Sequence, residues 1–239
     1  MPDPTQFPPQ SPRSLPHIFS EAEIVRLLAA AEGLRPHKAS PLRREVARVS
    51  IVILYTTGLR RGELVHLALR DYGLADRVLH VRRTKFDKSR LVPLSADAAM
   101  ELDRYLRVRR KLGVPWDGDT PLLVHHHGGR FQGYTGEGLG HSLKQVIRAA
   151  GIRTSQGRVP RVHDLRFTFT VRALLRWYRA GVDVQSRLPA LATYLGHVSV
   201  VSTQYYLTFL EATAQAASER FHTHSAAWLT PCVGEGGHP

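Results

Sequence analysis

Residues 51–64, IVILYTTGLRRGEL, lead from an apolar run through a glycine into two arginines and a carboxylate. Gly58 is a helix-stop signal, because glycine adopts left-handed backbone conformations without steric cost. Arg60 follows two residues later, and Glu63 lies three residues beyond it. The pattern predicts a helix that ends at Gly58 and a second, shorter helix whose start carries Arg60.

The residues before this turn predict two helices. Ser20 and Glu23 have the spacing of a capping box, which predicts a helix over residues 20–32 that ends at Gly33. A second helix is expected over residues 41–57. Its inward-facing residues are Val46, Val49, Ile53 and Leu54.

The residues after the turn predict both helices and strands. A short helix is expected over residues 61–69, and two segments rich in Val and Leu, 77–83 and 90–94, predict a β-hairpin. Ser95 caps the next helix. A short strand is expected at 122–124, and further helices over 135–150, 164–180, 189–194 and 200–222. The predicted fold class is α+β, a mainly helical domain with one small antiparallel sheet.

Charge is the most informative feature of the composition. The 239 residues include 33 Lys plus Arg against 20 Asp plus Glu, a formal net charge of +13. Such an excess favours a polyanionic partner, with nucleic acid as the first interpretation and an anionic membrane surface as the second. No apolar run is long enough to span a bilayer and the N-terminus lacks a signal-peptide core, so we expect a cytoplasmic protein. The lone cysteine, Cys232, excludes an intrachain disulfide.

Three regions of the chain differ in composition. Residues 1–17 hold six prolines and are expected to form a flexible leader. Residues 18–224 carry the apolar periodicity of a folded domain, and residues 225–239 are expected to form a C-terminal tail.

Basic and polar residues form three short clusters near predicted helix starts. The first is the turn that carries Arg60. In the second, His163 precedes Arg166 by three residues, which places both side chains on one helix face. In the third, His197 lies nine residues before Tyr206. Together with a lysine from the hairpin, these are the groups needed to cleave a phosphodiester without a metal ion.

These clusters resemble the catalytic domain of the tyrosine recombinases, the phage-integrase-like site-specific DNA recombinases. The matching motifs, in the family's order, are TGLRRGEL, the hairpin KFDKSRLVPL, HDLRFTF, and LGH running into STQYY. The resemblance extends over roughly residues 20–209. It implies a compact mixed α/β catalytic fold and an enzyme that cleaves and rejoins DNA through a 3′-phosphotyrosyl intermediate, with no metal, ATP or other cofactor.

The resemblance implies a role for each polar residue of the motifs. Arg60 and Arg166 clamp the non-bridging oxygens of the phosphate, where their charge offsets the charge that grows in the transition state. Tyr206 is the nucleophile, and His163 is the base that removes its proton.

The remaining roles belong to residues around the same phosphate. By similarity to the family, Lys85 on the hairpin protonates the departing 5′ oxygen, and His197 hydrogen-bonds the phosphate. Glu63 is interpreted as a brace for an arginine. Three further basic residues are expected to bind DNA: Arg61, Lys88 and Arg90.

Several alternatives stay open at this point. Lys88 lies in the same turn as Lys85 and is the second candidate for the acid. Tyr205 competes with Tyr206 for the nucleophile, although it points about 100° away around a helix and is expected to pack. His163 also fits a helix cap.

Two other groups of charged or histidine residues are interpreted without a catalytic role. The run His125-His126-His127 lacks helical spacing and partner cysteines, so we interpret it, like His222 and His224, as a loop feature and predict no metal site. The basic residues of segment 107–111 are interpreted as a solvated face that can also track phosphates.

The family's assembly suggests the partners. We expect double-stranded DNA, a homotetramer on that DNA and no membrane. Family members commonly carry a separate N-terminal DNA-binding domain, for which the residues before Ser20 are too few, so we expect weaker and more salt-sensitive DNA binding. The rival functions are a type IB topoisomerase-like enzyme, a DNA-binding module without catalysis and a metal-dependent nuclease.

Overall fold

The computed structural model describes residues 15–35, 40–82, 89–197, 203 and 205–209. The chain divides into two compact units, Met1–Phe169 and Thr170–Pro239. The boundary falls within a helix, α6, that runs from Asp164 to Arg179.

Two helices open the first unit, as predicted. α1 (Glu21–Glu32) has the expected capping box, in which the Ser20 hydroxyl accepts the Glu23 amide and the Glu23 carboxylate accepts the Ser20 amide. α2 (Arg43–Thr57) ends at Gly58, whose φ is +65°. The four residues expected to point inward are all buried: Val46, Val49, Ile53 and Leu54.

Helix α3 (Arg61–Val65) is shorter than the predicted helix over 61–69. A separate 3₁₀ turn, Leu69–Asp71, follows it. The Ala68 amide donates to the Asp71 carboxylate at 2.9 Å, and the Leu69 amide donates to the Thr120 carbonyl at 2.9 Å. Because these amides have partners outside α3, the helix does not continue through them.

The first sheet has three antiparallel strands. The predicted hairpin is present as β2 (Val78–Val81) and β3 (Arg90–Pro93). A third strand, β1 (Tyr72–Gly73), pairs with the other edge of β2. Its two residues are too few to show an alternating pattern in the sequence. Leu79 and Val92 lie opposite each other and are buried in the core.

Helix α4 (Ala96–Lys111) is capped by Ser95 as predicted, because the Ser95 hydroxyl accepts the Ala98 amide. Its basic last turn corrects one expectation. Arg109 is fully buried instead of solvated: its Nη2 donates to the Pro121 carbonyl at 3.2 Å, and its guanidinium lies 5.5 Å from the ring centroid of Trp116. The other basic residues of this turn are exposed: Arg107, Arg110 and Lys111.

A second small sheet corrects the prediction of a single one. β4 (Val124–His127) and β5 (Arg130–Gly133) form an antiparallel hairpin, joined by two glycines with positive φ. The strand predicted at 122–124 therefore starts two residues later than expected.

The histidine run lies on strand β4 and not in a loop. The His125 ring contacts Tyr134 with 5.0 Å between centroids, and His126 contacts Phe131 across the hairpin at 5.2 Å. Such cross-strand aromatic pairs stabilise a strand. Within the described part of the chain, no three or more His, Cys, Asp or Glu side chains are grouped so that they could hold a metal ion.

Helix α5 (Gly136–Ala149) and the start of α6 complete the first unit. The Thr135 hydroxyl caps α5 by accepting the Gly138 amide at 3.0 Å. α2 packs against α1, α4 and α5. Buried side chains from these elements form the core of the unit, among them Leu27, Val46, Ile53, Leu102, Leu139 and Val146.

The second unit contains the rest of α6, then α7 (Val184–Leu195), then a 3₁₀ helix (Tyr205–Phe209). α7 begins before Pro189, so the predicted helix over 189–194 was too short. The Asp183 side chain accepts the Gln185 amide and caps α7. Four residues form one buried stripe at helical spacing: Val184, Leu188, Leu191 and Leu195. Burial of this stripe stabilises α7 against the loss of the one hydrogen bond that Pro189 cannot donate.

Part of the predicted C-terminal helix over 200–222 lies outside the described residues, as do His222, His224 and Cys232. Among the helices that the structure describes, none has the length and apolar character required to cross a bilayer. The architecture confirms the α+β class, mainly helical with small antiparallel sheets.

Candidate active site

The candidate site is built on the turn between α2 and α3. Gly58 ends α2 in the left-handed conformation, and a Cβ at this position would lie 2.4 Å from Cδ1 of Phe169. The backbone and the aromatic ring therefore each require glycine. The next residue, Leu59, is buried, and Arg60 follows as the N-cap residue of α3.

Glu63, in the first turn of α3, occupies the centre of the site. Its Oε2 accepts the Arg60 backbone amide at 2.8 Å, and its Oε1 accepts Nη1 of Arg60 at 2.9 Å. The first bond closes the start of α3, and the second orients the Arg60 guanidinium. The Arg60 side chain remains 39% exposed, so it is accessible to a ligand.

Arg90, the first residue of β3, binds the same carboxylate. Its Nη1 donates to Oε1 of Glu63 at 3.1 Å and its Nη2 donates to Oε2 at 2.8 Å, a bidentate pair. The Arg90 side chain is 12% exposed. The sequence predicted that Arg90 binds DNA, whereas the structure places its guanidinium on Glu63. No local signal links positions 63 and 90, because their contact depends on how the sheet packs against α3.

Arg166, in the first turn of α6, is 1% exposed. Its Nη1 donates to the Gly58 carbonyl at 2.6 Å and lies 4.0 Å from Oε2 of Glu63. The residues of the first two predicted clusters therefore come together, although they are 108 positions apart.

The charges of this cluster are unequal. Three guanidiniums, those of Arg60, Arg90 and Arg166, surround the single carboxylate of Glu63. Burial alone would raise the pKa of Glu63, but the hydrogen bonds and charges of Arg90 and Arg60 outweigh it and hold that pKa below its ordinary value. The ionised cluster keeps an excess of positive charge, which favours a phosphate ligand.

His163 immediately precedes α6 and lies at the surface. The atoms around its ring remove enough water to lower the pKa of His163, and the positive charge of Arg166 lowers it further. The smaller effects are opposed, since Asp164 raises this pKa while Arg161 and Arg60 lower it. The lowered pKa favours the neutral ring, which can accept a proton.

The second unit holds the third predicted cluster. α7 ends at Gly196, which has a φ of +65°, and His197 follows. Nδ1 of His197 lies 2.8 Å from the Thr203 hydroxyl, and its ring stacks on that of Tyr206 with 6.2 Å between centroids and 10° between planes. Thr203, which is buried, is a site residue that the sequence analysis did not single out. Its only signal was its place in the STQYY motif.

The two tyrosines have different environments. Tyr206 is 5% exposed and Tyr205 is 40% exposed, with its ring edge-on to Phe209 at 5.3 Å. The expectation that Tyr205 is the packed member of the pair was wrong. In the 3₁₀ helix, it is Tyr206 whose ring is enclosed beside His197.

Three predicted site residues remain: Arg61, Lys85 and Lys88. Arg61 is exposed, and its guanidinium lies beside Gly140 of α5. Lys85 and Lys88 fall on residues 83–88, outside the described residues.

Comparison with known proteins identifies the family. Residues 17–212 match the sequence profile of the phage integrase family. This chain belongs to the phage integrase family. Within that family it is similar to an integrase/recombinase of Sinorhizobium fredii, with 38% identity over 213 residues that make up 89% of this chain and 66% of the relative.

Two solved structures share the fold of this phage integrase family member. The crystal structure of the XerA recombinase matches with a TM-score of 0.64 and 27% identity, over 91% of this chain and 67% of that one. The XerH site-specific recombinase bound to its palindromic difH substrate matches with a TM-score of 0.63 and 23% identity, over 87% of this chain and 54% of that one. The chain thus spans about two thirds or less of the length of these relatives.

Proposed function

We propose that this chain is the catalytic part of a site-specific DNA recombinase, which cleaves and rejoins strands through a 3′-phosphotyrosyl intermediate. The observation that carries the proposal is the cluster of three arginines around Glu63, with Arg166 buried and Arg60 accessible. Such a cluster stabilises the charge that develops on a phosphate during displacement at phosphorus. In this proposal residues 18–224 form the catalytic domain.

The covalent step conserves the number of phosphoester bonds. Oη of Tyr206 attacks phosphorus, the bond from phosphorus to the 5′ oxygen breaks, and a 3′-phosphotyrosyl ester forms. The phenolic proton passes to His163, whose lowered pKa favours the neutral ring that can accept it. Arg60 and Arg166 neutralise the non-bridging oxygens during the step.

The other assignments follow the family pattern. Lys85 supplies the proton to the departing 5′ oxygen, and His197 hydrogen-bonds the phosphate. A 5′ hydroxyl from another strand can attack the phosphotyrosyl ester and release Tyr206, so strand exchange requires no ATP. No step uses a metal ion.

Double-stranded DNA is the proposed partner. The high positive charge of the chain supports it, and the similar XerH recombinase has been crystallised on its difH DNA substrate. Because strand exchange joins two duplexes that are each cut on both strands, the proposed active assembly is a homotetramer on DNA.

The test is covalent capture of DNA. The 239-residue chain is incubated with a pool of duplexes that each carry one nick and a randomised central segment, and protein-linked strands are recovered after denaturation. An adduct is expected on a DNA 3′ phosphate, with Tyr206 as the linked residue in peptide mapping. Activity is expected to persist in EDTA.

A pair of matched variants identifies the nucleophile. Tyr206→Phe removes one oxygen and should form no adduct, while Tyr205→Phe should still form it. The reverse result moves the nucleophile to Tyr205. Absence of an adduct from the unmodified chain in every pool refutes the recombinase, and relaxation of supercoils without strand exchange shows a topoisomerase-like enzyme.

A further inference from the structure

Two arginines, one after β2 and one at the start of β3, bind carboxylates of helical elements. Arg82, directly after β2, donates from Nε to Oδ1 of Asp71 at 2.6 Å. Arg90, at the start of β3, makes the bidentate pair with Glu63. The two arginines thus lie on either side of segment 83–88, which includes Lys85.

The carboxylates that bind Arg82 and Arg90 differ in their other contacts. Arg82 is 54% exposed, and its partner Asp71 caps the 3₁₀ turn by accepting the Ala68 amide. Arg90 is mostly buried, and its partner Glu63 uses the same two oxygens to hold Arg60. Of the two, only Arg90 is therefore connected to the arginine cluster.

The Glu63 carboxylate also lies beside Arg166. Nη1 of Arg166 is 4.0 Å from Oε2 of Glu63, an ion pair that is longer than a hydrogen bond. Each oxygen of this carboxylate accepts one bond from Arg60 and one from Arg90. The Arg90 pair therefore fixes the orientation in which Glu63 holds the Arg60 guanidinium.

We propose that Arg90 is a positioning residue that acts through Glu63 to hold the Arg60 guanidinium for the phosphate and to fix the carboxylate beside Arg166. It does so without contacting DNA. This inference deepens the proposed function and rests on it, since the phosphate to be bound is the scissile phosphate of the recombinase.

The experiment measures single-turnover cleavage on a nicked duplex recovered from the capture pool, made with an ordinary phosphate or a 5′-bridging phosphorothiolate. The sulfur leaves without protonation, so the second substrate does not need the hairpin lysine. For Arg90→Met we expect a rate at saturating DNA about 100-fold lower on both substrates, the size of effect that a misplaced group produces. DNA affinity should stay close to that of the parent. Arg90→Lys keeps the charge but not the bidentate geometry, so its rate should be intermediate.

Arg82→Met is the matched control. It removes the Arg82–Asp71 bond on the other side of segment 83–88 without touching Glu63, so any defect should disappear on the phosphorothiolate. If the Arg90→Met defect also disappears on the phosphorothiolate, Arg90 acts through segment 83–88 and the proposal is overturned. A loss of DNA affinity with an unchanged saturated rate would show direct phosphate contact and would overturn it as well.

A second readout needs no DNA. In carboxyl NMR titrations of the 239-residue chain, Arg90→Met should raise the pKa of Glu63 and broaden the Arg60 Nε–H signal, whereas Arg82→Met should leave both unchanged.

If the parent chain forms no adduct, the proposed function fails, and these signals still decide whether Arg90 positions Arg60. Unchanged signals in Arg90→Met overturn the inference. If Arg90→Met does not fold, Arg90→Lys is used in its place.

Discussion

Gly58 contributes to the backbone turn, to the packing of the core and to the candidate site. It ends α2 with a positive φ, it leaves room for the ring of Phe169, and its carbonyl accepts Nη1 of Arg166. A side chain at this position would disturb all three features. The backbone, the Phe169 ring and the Arg166 contact therefore all favour glycine at this position.

The first prediction is that Gly58→Ala lowers the free energy of unfolding by about 3 kcal/mol, from left-handed strain and overpacking together. Denaturant unfolding followed by circular dichroism measures it. Gly62→Ala is the control, because a Cβ at Gly62 meets nothing within 4 Å and alanine favours a helix by ~1 kcal/mol over glycine. If Gly58→Ala lowers the free energy of unfolding no more than Gly62→Ala does, the steric argument is contradicted.

The second prediction concerns the protonation of His163. Its pKa is lowered by desolvation and by Arg166, with a smaller contribution from Arg161. Arg161→Gln removes one positive charge and leaves Asp164 near the ring, so the pKa of His163 should rise. NMR titration of the imidazole protons, in the parent chain and in Arg161→Gln, measures this shift.

The same shift predicts the pH dependence of cleavage. A base must be neutral to accept a proton, so on the acid side the cleavage rate should fall only when the pH drops through the lowered pKa of His163. In Arg161→Gln that fall should begin at a higher pH. If the rate of the parent chain already declines, as the pH is lowered, at a pH above the ordinary pKa range of histidine, His163 is not the base.

Among the elements, α6 is tied to the segment that precedes α1. The Phe19 amide donates to the Thr168 hydroxyl at 3.0 Å, and this hydroxyl donates to the Asp164 carbonyl at 2.8 Å. Phe19 and Thr168 are both buried. One hydroxyl thus joins the start of the described chain to the helix that carries Arg166.

The third prediction is that Thr168→Val lowers the free energy of unfolding by about 1–3 kcal/mol, because the buried Phe19 amide loses its acceptor. Thr56→Val is the control. The Thr56 hydroxyl donates only to the Val52 carbonyl of its own helix at 2.8 Å, so its loss should cost less. Equal effects in thermal unfolding would show that the bond to Phe19 is not what stabilises α6.

For the whole molecule, net charge is the property that bears most directly on DNA. The formal charge of +13 predicts that phosphate contacts dominate binding. The fourth prediction is a fall in DNA affinity on the order of 10³-fold between about 50 and 200 mM salt, as expected for several released counterions. Fluorescence anisotropy with a labelled duplex measures it, and circular dichroism at each salt concentration controls for unfolding. A nearly flat dependence would contradict the proposed DNA partner.

Much of the molecule could be predicted because the relevant signals are local. The capping box at Ser20 and the stop at Gly58 act within a few residues, and the structure has both helices with these ends. The pairing of His163 with Arg166 on one helix start was also visible as a spacing of three residues. These features depend on backbone hydrogen bonds and side-chain periodicity, which any short window of sequence contains.

Other features depend on contacts between distant residues. The sequence predicts that Arg109 is a surface arginine, whereas in the structure it contacts the Pro121 carbonyl and the Trp116 ring. β1 has too few residues to be recognised, and it exists because β2 offers a free edge. The predicted helix over 189–194 was shorter than α7, because a proline is typical of a helix start whereas the buried stripe here extends to both sides of Pro189.

The sequence by itself determined the family motifs, the positive charge and the main helices. The motifs and helices depend on residues close together in the chain, and the charge depends only on composition. Only the tertiary structure decided that Arg60, Arg90 and Arg166 share one carboxylate, and that Arg166 also binds the Gly58 carbonyl. Those partners lie up to 108 positions apart. Their distances follow from how the helices and the sheet pack in the first unit, and burial then gives each charge and hydrogen bond its strength.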